Sequence, residues 1–204
     1  MSILIHPTYF PSVSHYVAMM QADEIIMEVD DNFQKQTNRN RMYIYSANGI
    51  QMLNIPIKHS SNPHQKFKDV LIENDFNWQK QHFKSLEAAY RTSPYFEYFE
   101  DDIRTVFEKP QKYMMDLNLQ IHEIISECLG KKLPYTPTEE FFKEVSAEIT
   151  DLRHLVNGKK DVSVFTPYTQ VFDDRHGFIN NLSILDLLFN EGRHGIDYLK
   201  SQKL

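Results

Sequence analysis

Ile3-Leu4-Ile5-His6-Pro7-Thr8-Tyr9-Phe10-Pro11-Ser12-Val13-Ser14-His15-Tyr16 opens as a short apolar run and breaks at once into a polar, proline-bounded turn. Downstream, Val13, Tyr16, Val17 and Met20 recur at helical spacing to about Gln21. A second apolar run, Glu24 to Val29, then ends in Asp30-Asp31. Strand, polar turn, amphipathic helix, strand and paired carboxylates is the order in which an open α/β sheet builds a site at the carboxyl ends of its strands. Beyond it, Asn38-Arg39-Asn40-Arg41 opens a third strand, Met42 to Tyr45. Asn48-Gly49 marks a hairpin turn, and Gln51 to Ile57 reads as the return strand.

The rest of the chain reads as mostly helical. Residues 58–66 form a polar loop, and Phe67 to Asn74 looks like another short strand. Helices are predicted over 75–91, over Tyr95 to Phe107, and over Tyr113 to Leu129 with Gly130 as the stop. Thr138 is expected to cap a short element reaching Glu144, and 150–175 reads as irregular. Ser183 and Asp186 have near-capping-box spacing at the start of a last helix that Gly192 closes. The fold expected is α/β: one domain over residues 1–204. Residues 1–75 would supply a small, mainly parallel sheet and the site, and 76–204 the helices.

The 204 residues are 41% hydrophobic and 13% aromatic, enough for a sizeable core. A net charge of −6 argues against a nucleic-acid partner, which would call for a basic face. Cys128 is the single cysteine, so no internal disulfide and no cysteine-rich zinc site can form. His59 and His64 lack a third ligand in their loop, so no metal site is expected. The chain has no P-loop or glycine-rich dinucleotide fingerprint, and no cofactor is assigned. No apolar run is long enough to span a membrane, and no basic-apolar leader precedes the first strand. A reducing cytoplasm is the expected address.

Candidate site residues fall in the opening segment. His6 and His15 flank the proline-bounded turn, and imidazoles there suit phosphate contact or proton donation. Tyr9 lies between them. Asp30 and Asp31 suit a general base or an acceptor for sugar hydroxyls. Arg39 and Arg41, flanked by Asn38 and Asn40, suit bidentate binding of phosphate or carboxylate. Strand alternation would put both arginines on one face. His15, Asp30 and Asp31 are thus the catalytic candidates. His6, Tyr9, Asn38, Arg39, Asn40 and Arg41 are the substrate-binding ones.

The chain resembles the WbqC-like family of bacterial proteins. The resemblance is carried in order by Pro7-Thr8-Tyr9-Phe10-Pro11, Ala22-Asp23, Asp30-Asp31, Asn40-Arg41, Gly49 and Ile55-Pro56-Ile57. It continues through Trp78, His82, Ser85, Ala89-Tyr90 and Ser93-Pro94, and closes with the run from Asn181 to Gly192. Two departures mark this chain. His6 stands where the family commonly has Gln, and Ser14-His15 where it often has Gly-Tyr. The resemblance implies an association with surface-polysaccharide and O-antigen biosynthesis. It also implies an amino-acyl or acyl transferase acting on a small-molecule partner, a nucleotide-linked sugar. One alternative is a non-catalytic scaffold of a polysaccharide assembly, with an exposed aromatic surface at Tyr95 to Phe99. The other is a nucleotidyltransferase, whose phosphate-holding turn the Pro7–Tyr16 segment resembles without its glycines.

Overall fold

A computed structural model describes residues 1–204. In chain order the elements begin with β1 (Ser2–Ile5), α1 (Val13–Gln21), β2 (Glu24–Met27), β3 (Arg41–Ser46) and β4 (Gly49–Asn54). Next come α2 (Trp78–Tyr90), α3 (Phe96–Glu108), α4 (Met114–Leu129), β5 (Tyr135–Pro137) and β6 (Ile149–Asp151). The chain ends with α5 (Asp173–His176), α6 (Ile184–Glu191) and α7 (Gly195–Ser201).

Ile3, Leu4 and Ile5 are buried because β1 is a central strand with a parallel neighbour on each side. Such a strand has no solvated face, so its run is apolar throughout rather than alternating. β1 pairs in parallel with β2, Ile3 opposite Ile25, and α1 makes the crossover. The full sheet runs β5-β2-β1-β6 and every pairing is parallel. It is therefore not built from the first 75 residues alone: both outer strands arrive after residue 130. They are three residues each and one ends in Pro137, so neither carries a periodic signal of its own.

The third strand also falls outside this sheet. β3 and β4 form a separate antiparallel hairpin, with Ser46 opposite Gly49 and φ of +94° at Gly49. Only isolated bridges continue it, Ile57 to Ile72 and Leu71 to Tyr113. The stretch read as a strand over 67–74 instead starts with a 3-10 turn, Phe67–Asp69, that buries the Phe67 ring.

α4 stops where expected: Gly130 takes φ of +72°, and the Lys131 N–H reaches back to the Ser126 carbonyl at 3.0 Å. Thr138 caps no helix. Its N–H bonds the Met27 carbonyl at 2.9 Å and its hydroxyl donates to Glu28 Oε1 at 2.8 Å, docking β5 beside β2. A single cluster of 46 buried residues, from Ile3 to Leu199, joins the sheet to the helices, so the two parts share one core. No helix is long and apolar enough to cross a membrane.

Candidate active site

β1, β2 and β6 all point their carboxyl ends at one region, and two clefts open there, the first mainly polar and the second mixed. The first, of about 380 Å³, is lined by His6 after β1, Asp30 and Asp31 after β2, Arg153 and His154 after β6, and Lys160. The second, of about 300 Å³, is lined by Ser12, Asn38, Arg41, Lys159, Asp161 and Asn181 among others. One turn forms the wall between them. Asn157 and Lys160 face the first cleft, while Gly158, Lys159 and Asp161 face the second. That turn is closed on itself, with the Asn157 carbonyl accepting from the N–H groups of Lys160 and Asp161. It is also tied to the N-terminal half by the Asn38 N–H, which bonds the Val156 carbonyl at 2.8 Å.

At the floor of the first cleft Arg39, fully buried, donates through Nη2 to Asp31 Oδ2 and to His6 Nε2, the latter at 3.1 Å. Guanidinium nitrogens can only donate, so His6 Nε2 accepts and the neutral ring carries its proton on Nδ1. Burial and the Arg39 charge push the His6 pKa well below its ordinary value. Burial raises Asp31, against the opposing pull of Arg39. Asp31 Oδ1 and Arg39 Nε have no partner. Buried polar groups are almost always paired, so these two atoms beneath the cleft are bonding capacity that the protein itself leaves unused.

Beside this cluster, Glu28 is buried at the end of β2 and accepts from the Asp30 N–H, Thr138 and Arg153. Asp30 differs from its neighbour: Lys66 and Lys68 both donate to its carboxylate and hold its pKa down. So paired, it makes the weaker base of the two.

In the second cleft, Arg41 is the first residue of β3. Its Nε bonds Asn54 Oδ1 at 3.3 Å, and it forms no salt bridge. Arg39 precedes the strand in a turn, so strand alternation does not reach it: it is buried against Asp31, while Arg41 lines the second cleft. His15 is buried behind Ser12, with its Nδ1 at 2.8 Å from the Ser12 hydroxyl. Burial lowers its pKa to about 4, against the raising effect of Asp161. It is therefore neutral near pH 7 and begins as a proton acceptor rather than the expected donor. Asp161 accepts from Ser14 and Asn181, and these bonds hold its pKa below the usual range even though burial acts to raise it.

Two of the remaining candidates lie elsewhere. Tyr9 is buried in the core with its hydroxyl 2.9 Å from His82 Nδ1. Asn40 Nδ2 donates to the Ile55 carbonyl at 2.9 Å and to Asn54 Oδ1, tying the segment before β3 to the one after β4. Asn38 lies beside Gly158 at the wall of the second cleft. Sequence reasoning passed over Glu28, Arg153, Lys159 and Asp161. Glu28 did carry a signal, being a carboxylate inside a run of buried apolar residues. The other three sit in a stretch without periodicity.

A curated relative, the uncharacterized protein Rv1507c of Mycobacterium tuberculosis (strain ATCC 25618 / H37Rv), is 24% identical over 97% of this chain and 96% of its own length. No solved structure gives a significant match. The model of the WbqC-like protein family matches residues 6–164, a span that begins at His6 and takes in both clefts except for the Asn180–Ser183 turn. The chain therefore belongs to the WbqC-like protein family.

Proposed function

We propose that this protein is a transferase that moves an acyl or amino-acyl group onto a nucleotide-linked sugar. The observation that carries the reading is the pair of clefts on either side of the 157–161 wall. A two-substrate transfer needs two neighbouring binding sites, and holding the reactants side by side supplies much of the rate. The second cleft suits the nucleotide end. Arg41 and Lys159 are cations for the phosphates, and Tyr43 and Ile50 line the same cleft with apolar surface for a base. The first cleft suits the sugar, whose amine or hydroxyl would donate a hydrogen bond to Asp31 in its lining. Both volumes lie in the range of small-ligand sites.

The scaffold reading calls for an exposed aromatic surface at 95–99. Phe96 and Phe99 are buried there, and only Tyr98 is well exposed.

The test is a thermal-shift screen of nucleotide sugars, nucleoside triphosphates and acyl donors, with and without magnesium. A nucleotide sugar at 100 times its Kd should add about 2.7 kcal/mol to the native state and raise Tm. Arg41→Ala should lose most of that shift. A chain that no nucleotide sugar stabilises, while a partner protein does, is an assembly component instead.

A further inference from the structure

Ser12 stands at the N-cap of α1, yet its hydroxyl caps nothing. The first N–H groups of the helix are already served: Val13 by the Leu182 carbonyl at 2.9 Å, Ser14 by Asn181 Oδ1 at 2.9 Å and His15 by the Ser12 carbonyl at 3.1 Å. N-cap serines ordinarily spend their side-chain oxygen on those same donors. Here the oxygen is released and lies 2.8 Å from both His15 Nδ1 and Ser14 Oγ. The Ser14 hydroxyl gives its proton to Asp161 Oδ2 at 2.5 Å, because a carboxylate can only accept. Ser14 Oγ therefore meets Ser12 as an acceptor. The Ser12 proton has two places to go, the His15 ring and the Ser14–Asp161 pair. Ser12 is one of the residues lining the cleft that holds Arg41 and Lys159. A hydroxyl within hydrogen-bond reach of an imidazole on one side, and linked through Ser14 to a carboxylate on the other, has the close contacts that activate a nucleophile.

The geometry points to Ser12 as a nucleophile that carries the acyl group as a covalent ester between donor and acceptor. This inference rests on the acyl-transfer reading above. With an acyl thioester or oxygen ester as donor, Oγ of Ser12 bonds to the acyl carbon and the bond from that carbon to the leaving sulfur or oxygen breaks. The proton of Oγ passes to His15 Nδ1 and from there to the leaving group. In the second step the sugar amine attacks the ester carbon, the Oγ–carbon bond breaks, and a proton of the amine returns to Oγ.

The test uses the full chain and a fluorophosphonate probe. Oγ bonds to phosphorus, fluoride leaves, and the hydroxyl proton passes to His15. Intact-mass and peptide-mass spectrometry on the folded protein should show a single adduct at Ser12. Ser12→Ala, checked for an unchanged Tm, should show none. Ser12→Cys, which keeps a nucleophile at that position, should form a thioester adduct with an acyl thioester. Asp161→Asn should slow labelling by roughly 100-fold, the lower end of the range for loss of acid–base assistance. A folded wild type that takes no adduct, or one whose adduct persists in Ser12→Ala, overturns the assignment. Binding of a nucleotide sugar is measured separately by calorimetry on Ser12→Ala. Loss of nucleotide-sugar binding in every variant and the wild type would sink the transferase reading without touching the labelling result.

Discussion

Arg39 is fully buried, and Asp31, His6 and Thr37 all bond to its guanidinium while its flat face lies 5.6 Å from the Phe67 ring centre. Removing one member of a buried ion pair leaves the other charge without compensation, typically at about 3–5 kcal/mol. Arg39→Ala should lose stability on that scale in urea denaturation. Arg39→Lys should recover only part of it, since an ammonium cannot span Thr37, His6 and Asp31 together. A second residue-scale effect follows from His15 and His82, both lowered to about 4 chiefly by burial. Their unfolded pKa is about 6.5. Between pH 6.5 and 4 the unfolded chain binds more protons, so the stability these groups contribute is full above pH 6.5, falls as pH falls through that window and levels off below 4. Each contributes about 3 kcal/mol at most. Denaturation midpoints at pH 7 and pH 4.5 should differ less in His82→Gln than in the wild type. An equal difference would show that His82 does not titrate in that window. Sequence placed His6, Asp31 and Arg39 among the candidates from residue type alone, but their contact depends on a turn at 38–39 that carries no such signal.

At the scale of elements, the legible features were those with internal periodicity or a strong stop. α2, α3 and α4 lie within a few residues of their expected bounds because each has a buried stripe of its own, as with Leu117, Ile121 and Ile125. Gly192 was legible as a helix stop, but the structure gives it a second job. With φ of +57°, a Cβ there would also sit 2.8 Å from Tyr95 Cδ1. Gly192→Ala should therefore cost at least about 2 kcal/mol, combining backbone strain with overpacking, readable as a drop in Tm. Asp186 was expected as a cap; Ser183 does that work by accepting from the Leu185 N–H. Asp186 instead turns inward and accepts from Tyr90, Tyr168 and Gln170, joining α2, α6 and the segment before α5. Its partners lie 16 to 96 residues away, beyond the reach of any local pattern.

At the scale of the whole molecule, the parallel sheet takes half its strands from beyond residue 130. A fragment of residues 1–132 lacks β5 and β6, leaving the edges of β1 and β2 unpaired. It should show no cooperative thermal unfolding by circular dichroism, whereas the full chain should. A fragment that melts cooperatively would mean that residues 1–132 hold together without β5 and β6. The sequence by itself determined the central β1-α1-β2 unit, the β3–β4 hairpin, the long helices and the crowding of His, Asp and Arg near the strand ends. These follow from short-range patterns of burial and turn chemistry. Only the tertiary structure decided which strands complete the sheet, that Arg39 is buried against Asp31 while Arg41 lines a cleft, and that the 157–161 turn divides the two clefts. Those outcomes rest on contacts between residues more than a hundred positions apart, such as Ser14 with Asp161 and Glu28 with Arg153. A three-residue edge strand or an aperiodic turn holds its place through its partners, and those partners are set by packing rather than by neighbouring sequence.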